Sequence, residues 1–387
     1  MSLMPLLIWL AACGADPNLV LPEGSTSTGE QVLGYPLLAD SLSTAPTIAS
    51  PDDGQPSTFR AQSFATERPE FELASPVPRG FHRDLIHDLK ETFNPFSHTT
   101  VRVLPGYYDP YGWQGSYGIN GYQPWRLGWS TFHEVAAIPG VSVSGGGAYG
   151  SMMMSEWNSN LRLSELIAPG IVFNGTGNFN AHYWSGPGGP DLPGQVDQLS
   201  ADLELGFFND GPWSAQVAFH PQIVDGYESK LNRNAFNFDG RAIATYLASP
   251  NWSFVGGIAV WDRVDTMIIP YGGAIWTPDS HWELRLLFPR TKISYYLGRQ
   301  NGKDFWVYGV AEYTAEAWQA NIGHPTIVAD RIQLTDDRLS VGLRWDSGRH
   351  SAYIEAGYVF NRQAKFAGPT PNFDLNNGAM IRAGLRF

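Results

Sequence analysis

From about residue 169 onward the chain alternates apolar and polar positions with a period of two. In 198–208 the odd positions are Leu199, Ala201, Leu203, Leu205 and Phe207, and the even ones are Gln198, Ser200, Asp202, Glu204 and Gly206. Successive side chains of a strand point to opposite faces, so this segment predicts a strand with one apolar and one charged face. Asn209-Asp210-Gly211 signals a tight turn. Trp213, Ala215, Val217 and Phe219 then alternate with Ser214, Gln216, Ala218 and His220, which completes a hairpin. The pattern recurs in 236–246, 282–288, 338–345, 351–361 and 379–387. Strands are expected near 169–178, 196–208, 212–221, 235–247, 251–261, 269–276, 281–288, 291–298, 303–314, 331–345, 350–362 and 377–387. That is about twelve, in a range of about ten to fourteen because 148–167 can add a pair.

Two features separate a membrane barrel from a soluble sandwich. The apolar faces are wide and carry Trp, Tyr or Phe near strand ends, where an aromatic girdle would sit. Connections also alternate. Tight turns fall near 209–211, 248–251, 277–280, 298–302 and 346–349, and longer loops near 179–194, 221–234, 320–330 and 363–376. Short turns on one rim and long loops on the other characterise outer-membrane barrels. The alternation weakens at Pro289-Arg290, where the long side has only a two-residue break. The expected fold is all-β: an antiparallel transmembrane β-barrel over 148–387, with its core in 169–387. A soluble or periplasmic β-barrel or sandwich that binds a ligand is the alternative.

Composition narrows this further. Charged residues make up 16% of 387 residues, against roughly 25% in a typical soluble domain. Aromatics reach 13%, and the net charge of −12 leaves no basic patch for nucleic acid. The longest apolar run, Leu3–Cys13, is shorter than the ~20 residues of a spanning helix, so any membrane crossing must use strands. Cys13 is the single cysteine, which excludes an internal disulfide or a cysteine-based zinc site.

The N-terminal third reads differently. Residues 1–13 have the apolar length of a secretory signal. Leu10-Ala11-Ala12-Cys13 resembles a lipoprotein cleavage motif, which makes Cys13 a lipidation candidate, although no positive charge precedes the apolar run. Residues 14–100 are rich in Ser, Thr, Pro and acidic side chains and are expected to form a largely disordered acidic linker, with a short helix possible near 83–92. Residues 101–147 include a Gly- and aromatic-rich stretch and read as an irregular segment.

The C-terminus adds a resemblance. Ile381, Ala383, Leu385 and terminal Phe387 resemble the assembly signal of bacterial outer-membrane proteins, which implies the barrel-assembly machinery and outer-membrane lipid as partners. More narrowly, 169–387 resembles a family of uncharacterised bacterial barrels known only as a domain of unknown function. The resembling stretches are Phe219–Asp225, Ile269–Pro278, Leu287–Pro289 and Glu355–Arg362. That resemblance implies a fold and no activity.

Catalytic motifs are weak. There is no G-x-S-x-G, and His133-Glu134 lacks the second His of a zinc protease. Gly298–Asp304 is one residue short of a phosphate loop and reads as a hairpin turn. No catalytic, cofactor or metal residue is assigned, and the chain is read as a non-enzyme. The polar alternate face holds the candidates. Asp202, Glu204, Asp239, Arg241, Glu283, Arg285, Glu312, Arg344, Glu355, Arg382 and Arg386 are expected to point into the barrel. Buried charge must be hydrated or paired, so the lumen is either a narrow polar channel for a small solute or a filled ion-pair network in a structural envelope protein. A third reading, an outer-membrane lipid-modifying enzyme, needs a Ser-His-acid group on one lipid-facing rim, which the sequence does not assemble.

Overall fold

The computed structural model describes residues 71–73, 101–104, 125–226, 230–323, 328–347 and 350–387. A small sheet is built from β1 (Phe71–Leu73), β2 (Val101–Leu104) and β3 (Trp125–Arg126). Everything else belongs to one large antiparallel sheet. Its strands are β4 (Gly128–Ser144), β5 (Ser151–Ala168), β6 (Ile171–Ser185), β7 (Gln195–Phe208), β8 (Trp213–Asp225), β9 (Phe236–Ser249) and β10 (Trp252–Asp262). They continue with β11 (Thr266–Trp276), β12 (Trp282–Phe288), β13 (Arg290–Gln300), β14 (Lys303–Ile322), β15 (Val328–Ser347), β16 (His350–Phe366), β17 (Phe373–Leu375) and β18 (Gly378–Arg386). Each strand from β4 to β16 pairs with the next, and β18 pairs with both β16 and β4, so the sheet closes on itself. Fourteen strands form the ring. β17 is a short segment that fills the seam between β16 and β4 beside the start of β18.

Alternation sets the faces. Leu203, Leu205, Phe207, Val217, Phe219, Leu339, Val341, Leu343 and Ile354 are exposed, with Val341 at 62%, while Glu204, Gln216, Ser340, Arg344 and Glu355 between them are buried. A closed ring with an apolar outside and a polar inside inverts the soluble arrangement.

The wall is not of even height. Strands β4 to β9 have 13–18 residues, β12 has seven, and β14 and β15 have 20 each. The short β12–β13 hairpin turns at Pro289, and its pairing to β11 stops at Gly272↔Phe288. Pairing of β13 to β14 stops at Arg290↔Glu312. Above that level β14 has no β13 to pair with. It runs inward instead and meets β8 at the parallel bridge Gln319↔Asp225, where Gly226 N donates to Gln319 O at 3.1 Å. Ala315, Ala317, Trp318, Gln319, Ala320 and Ile322 are all buried, whereas 305–311 still alternates. At the long-loop rim the chain therefore closes a smaller ring of β4, β5, β6, β7, β8, β14, β15, β16 and β17. Strands β9–β13 belong only to the larger ring.

The sequence reading of about twelve strands lies two below the ring. Both missing strands precede residue 169. The stretch 101–147 was expected to be irregular, yet Gly128–Ser144 is a strand of 17 residues. Its alternation is broken by Phe132 on the inner face, His133 on the outer face, and Pro139 and Gly140, and pairing to β5 shifts register between Ile138 and Val141. The loop expected at 179–194 begins only after Ser185. Cys13 and the acidic linker, apart from β1 at Phe71–Leu73, lie outside the described residues.

Candidate functional site: a cross-linked lumen and a side cavity

Polar side chains link strands that are not neighbours. Arg338 of β15 holds Glu156 of β5 with Nη2 to Oε1 at 2.9 Å and Nη1 to Oε2 at 3.1 Å. Three ring strands, β16, β18 and β4, stand between them. Adjacent strands are about 4.8 Å apart, so this bond is a chord through the lumen. Arg338 also donates to Asp336 at 2.8 Å. Arg382 of β18 reaches Glu312 of β14 at 2.9 Å and Glu355 at 2.6 Å. Glu355 accepts in addition from Tyr308 at 2.7 Å and Ser340 at 3.1 Å. Tyr353 donates to Glu134 across β18.

The sequence-derived charges fall on this inner face. Arg241 pairs with Asp202 at 3.0 Å and Glu204 at 2.5 Å. Asp239 accepts a two-pronged contact from Arg263 at 2.8 and 3.0 Å. Glu283 accepts from Arg285 at 2.8 Å. Glu312 also lies 3.3 Å from Arg290. Arg344 lies 3.4 Å from Asp346 and stacks over Trp306 at 4.3 Å. Arg386 is buried on the same face. Sequence reasoning omitted the partners that make the chords. Glu134 sits on a strand it did not assign, Glu156 in the 148–167 stretch offered only as an additional pair, and Arg263 in the β10–β11 turn, where alternation gives no phase. Arg338 carried the right phase and was visible. The C-terminal signal residues are at the seam: Ile381 is exposed, Ala383 and Leu385 share its face, and Phe387 exchanges backbone hydrogen bonds with Thr131 at 3.0 and 3.2 Å.

Towards the long-loop rim the interior becomes apolar. Met152, Met154, Trp184, Val196, Val224, Trp318, Ile322, Ile332, Leu334, Phe366, Phe373 and Met380 belong to one buried cluster. Its described members come from the smaller ring and from β18, and none from β9–β13. The Trp184 and Trp318 rings meet edge to face at 5.4 Å. This cluster and the chords below it occupy the interior at two levels.

Between the inward run of β14 and the wall of β8–β11 lies a cavity of about 330 Å³. His220, Gln222, Asp239, Arg241, Arg263 and Glu316 line it together with Trp261, Tyr271 and Tyr313. Three donors from neighbouring strands fix the inward edge of β14: Arg263 Nε to Ala315 O at 2.6 Å, Asn237 Nδ2 to Ala317 O at 3.0 Å, and Gly226 N to Gln319 O. They satisfy backbone carbonyls that a strand neighbour would otherwise take.

On the outer wall, Ser159 Oγ lies 3.0 Å from His133 Nδ1, in a groove with Leu161, Phe179, Leu199 and Phe387. Alternation hides such a pair, because each residue is a single polar interruption on a different strand. No carboxylate bonds the ring among the described residues, so the third group that an acyl-transfer triad needs is missing. The described residues also hold no cluster with metal-ligand character.

No protein-family model matches the chain, and no curated protein matches it in sequence. The resemblance to the uncharacterised barrels therefore rests on the quoted segments alone. Among solved structures, an outer-membrane channel from Pseudomonas putida F1 is 11% identical with a TM-score of 0.37, covering 69% of this chain and 97% of that one. The P. putida toluene transporter TodX is 6% identical with a TM-score of 0.30, covering 67% and 88%. LpxR from Salmonella typhimurium is 10% identical with a TM-score of 0.33, covering 67% and 99%.

Proposed function

We propose that this chain is a bacterial outer-membrane β-barrel that handles a small solute at the side cavity and is not an open diffusion pore. The single observation that carries the reading is the chord from Arg338 to Glu156, a bidentate pair between strands far apart in the ring, with the apolar cluster beyond it. A pore that passes hydrated solutes along its axis cannot be spanned by such a bond. The membrane assignment is supported by the exposed apolar outer face and by the asymmetry of the rims. Turns at 209–212, 250–251, 277–281 and 301–302 are short, and Gly128 and Phe387 lie at that same rim. In outer-membrane barrels the short turns face the periplasm. Phe387 and its alternate neighbours fit a substrate of the assembly machinery, and outer-membrane lipid is the solvent of the outer face.

The test is the purified protein in a planar bilayer. It should carry little or no steady current, while migrating differently before and after boiling in SDS. Arg338→Ala should admit current only when combined with Trp318→Ala, because the apolar cluster remains beyond the chord. A large steady conductance in the parent protein would overturn the closed-lumen reading. Identical migration with and without boiling, together with solubility without detergent, would overturn the membrane reading.

A further inference from the structure

We propose that the side cavity has its own doorway in the barrel wall, a window between β11 and β14, through which a small uncharged amphiphile enters sideways from the bilayer. This rests on the membrane reading above and adds to it a route and a ligand class.

The window follows from the register. Residues Thr266–Pro270 of β11 pair with β10 on one side and with no strand on the other, among the described residues. That is an open edge about 17 Å long at 3.4 Å per residue. The window has a floor in the Phe288–Pro289 turn. It has a lintel too, because the β10–β11 turn reaches across to β15 and β16. Val264 N donates to Gln333 Oε1 at 3.0 Å, and Lys365 pairs with Asp265. The far jamb is β14 where it leaves the wall.

Depth and hydration give the window a purpose. Ile268 is 72% exposed on the outer face of the open edge, and Ile258 and Val260 are exposed on the strand behind it, so the apolar band continues around the opening. Open sheet edges are not tolerated against lipid, because their backbone groups have no partner there. Such an edge persists where it lines a hydrated cavity, and the cavity behind this one is polar. The two observations fit a wet doorway at lipid depth.

Tyr313 is its door. At this residue β14 turns inward. The ring stacks on Trp261 at 6.2 Å and on Phe288 at 6.4 Å, and so bridges the floor and the inner wall. It also lines the cavity. One aromatic side chain thus stands between the outer face and the interior.

The lining sets the ligand class. Arg241 is taken up by Asp202 and Glu204, and Arg263 by Asp239. The guanidinium groups are already matched, so an anion meets no free cation there. Trp261, Tyr271 and Tyr313 offer aromatic surface, and Glu316, whose side chain is 35% accessible, offers a carboxylate that accepts from one hydroxyl. A cavity of about 150 Å³ holds a benzene, so this one suits a molecule about twice that size with an apolar body and a single hydroxyl.

The experiment uses the full chain in lipid nanodiscs with 2-naphthol as probe, followed by its fluorescence in stopped flow and at equilibrium. The parent should bind one probe per barrel, saturably. Ala259→Trp, which fills the cavity, should weaken binding at least about tenfold, while Ile258→Trp on the outer face should leave it unchanged. Tyr313→Ala should raise the entry rate at least about tenfold, and Tyr313→Phe should match the parent. Saturable binding that Ala259→Trp leaves unchanged would overturn the site. An entry rate unmoved by Tyr313→Ala but raised by Trp318→Ala, which loosens the apolar end, would overturn the sideways route. No binding by a barrel that is folded, heat-modifiable and non-conducting would overturn the proposal while leaving the closed-lumen reading in place. A shift in SDS migration measured on each variant guards against misfolding.

Discussion

Strands β4–β8 and β14–β18 differ from β9–β13 in one respect that organises the molecule. Apart from the short β17 and β18, the first group is long; it closes on itself at the long-loop rim and supplies the described members of the apolar cluster. In the second, β10–β13 have 7–11 residues, and β9–β13 join only the larger ring. Its own buried apolar group is small: Ile243, Val255, Ile275 and Leu287. The same alternating chemistry thus yields a sealed half and a half with a window, and strand length decides which. Seven residues in β12 fall short of the ~9–11 that a tilted strand needs to span a membrane. β14, with β15 on one edge but no β13 on the other at that level, satisfies the carbonyls of the free edge from the inside.

The comparison breaks most readily in the sealed half. Arg338→Ala leaves Glu156 and Asp336 buried without their cation, and removing one partner of a buried pair costs roughly 3–5 kcal/mol. Trp318→Ala should cost a similar amount, about 3–5 kcal/mol, through the space it leaves. Arg290, whose side chain is 43% exposed at its contact with Glu312, supplies the contrast, since exposed pairs contribute about 0–1 kcal/mol. Urea unfolding in detergent should rank Arg338→Ala far below Arg290→Ala. Equal midpoints would mean that the chord does not form.

The outer face gives the next effect. Leu343→Arg should cost roughly 2–4 kcal/mol if the site lies at mid-bilayer. An open lumen would make Ser340→Arg mild by comparison. Here Ser340 is buried and donates to Glu355, so an arginine has no room, and both variants should fold poorly. A well-folded Ser340→Arg barrel would point to a hydrated interior.

A smaller effect sharpens the windowed half. Gly273 has φ 140° at the level where β11 loses its partner, and a Cβ there would collide with the Leu286 carbonyl. Gly273→Ala should therefore destabilise by more than about 1 kcal/mol. Gly177, with open space around its Cβ position on the sealed side, should tolerate alanine. Similar losses at both would remove the strain from the window's base.

The smallest effect lies in the short turn at Asp279. Its carboxylate accepts from His281 N at 2.7 Å and Trp282 N at 2.9 Å. These bonds, that from His281 first, hold its pKa below the ordinary value. A depressed folded pKa gives stability that is present above the unfolded value, near about 4, and lost as pH falls through the folded one. Asp279→Asn should flatten the acid side of the stability profile slightly, as read from thermal midpoints between pH 5 and pH 2. An unchanged profile would deny the carboxylate that role.

Much of the wall was legible because one rule governs it. Leu199 to Phe207 and Leu339 to Leu343 could face only one way once the period was two, and the hairpin at Asn209–Gly211 followed from its turn residues. The inner-face charges followed from the same phase. β4 was not legible, because Phe132 on the inner face, His133 on the outer face and the Pro139-Gly140 pair interrupt its pattern. The chords were not legible either, since alternation fixes a face but never says which distant strand lies opposite. The short break at Pro289-Arg290 was visible as an irregularity among long connections. Its consequence, a lowered wall and an inward β14, depends on register between strands, which the sequence does not display.

The account turns on β14 leaving the wall to meet β8, and a designed disulfide tests that most directly. Asp225 and Gln319 are bridge partners, and such pairs fall within the 4.4–6.8 Å Cα separation that a disulfide needs. With Cys13 replaced by Ser, Asp225→Cys and Gln319→Cys together should cross-link on mild oxidation in the folded barrel, as readily as a control pair at the neighbouring positions Leu203 and Phe219. The control pair closing while the 225–319 pair stays reduced would contradict the inward course of β14, and with it the closed rim, the cavity and the window.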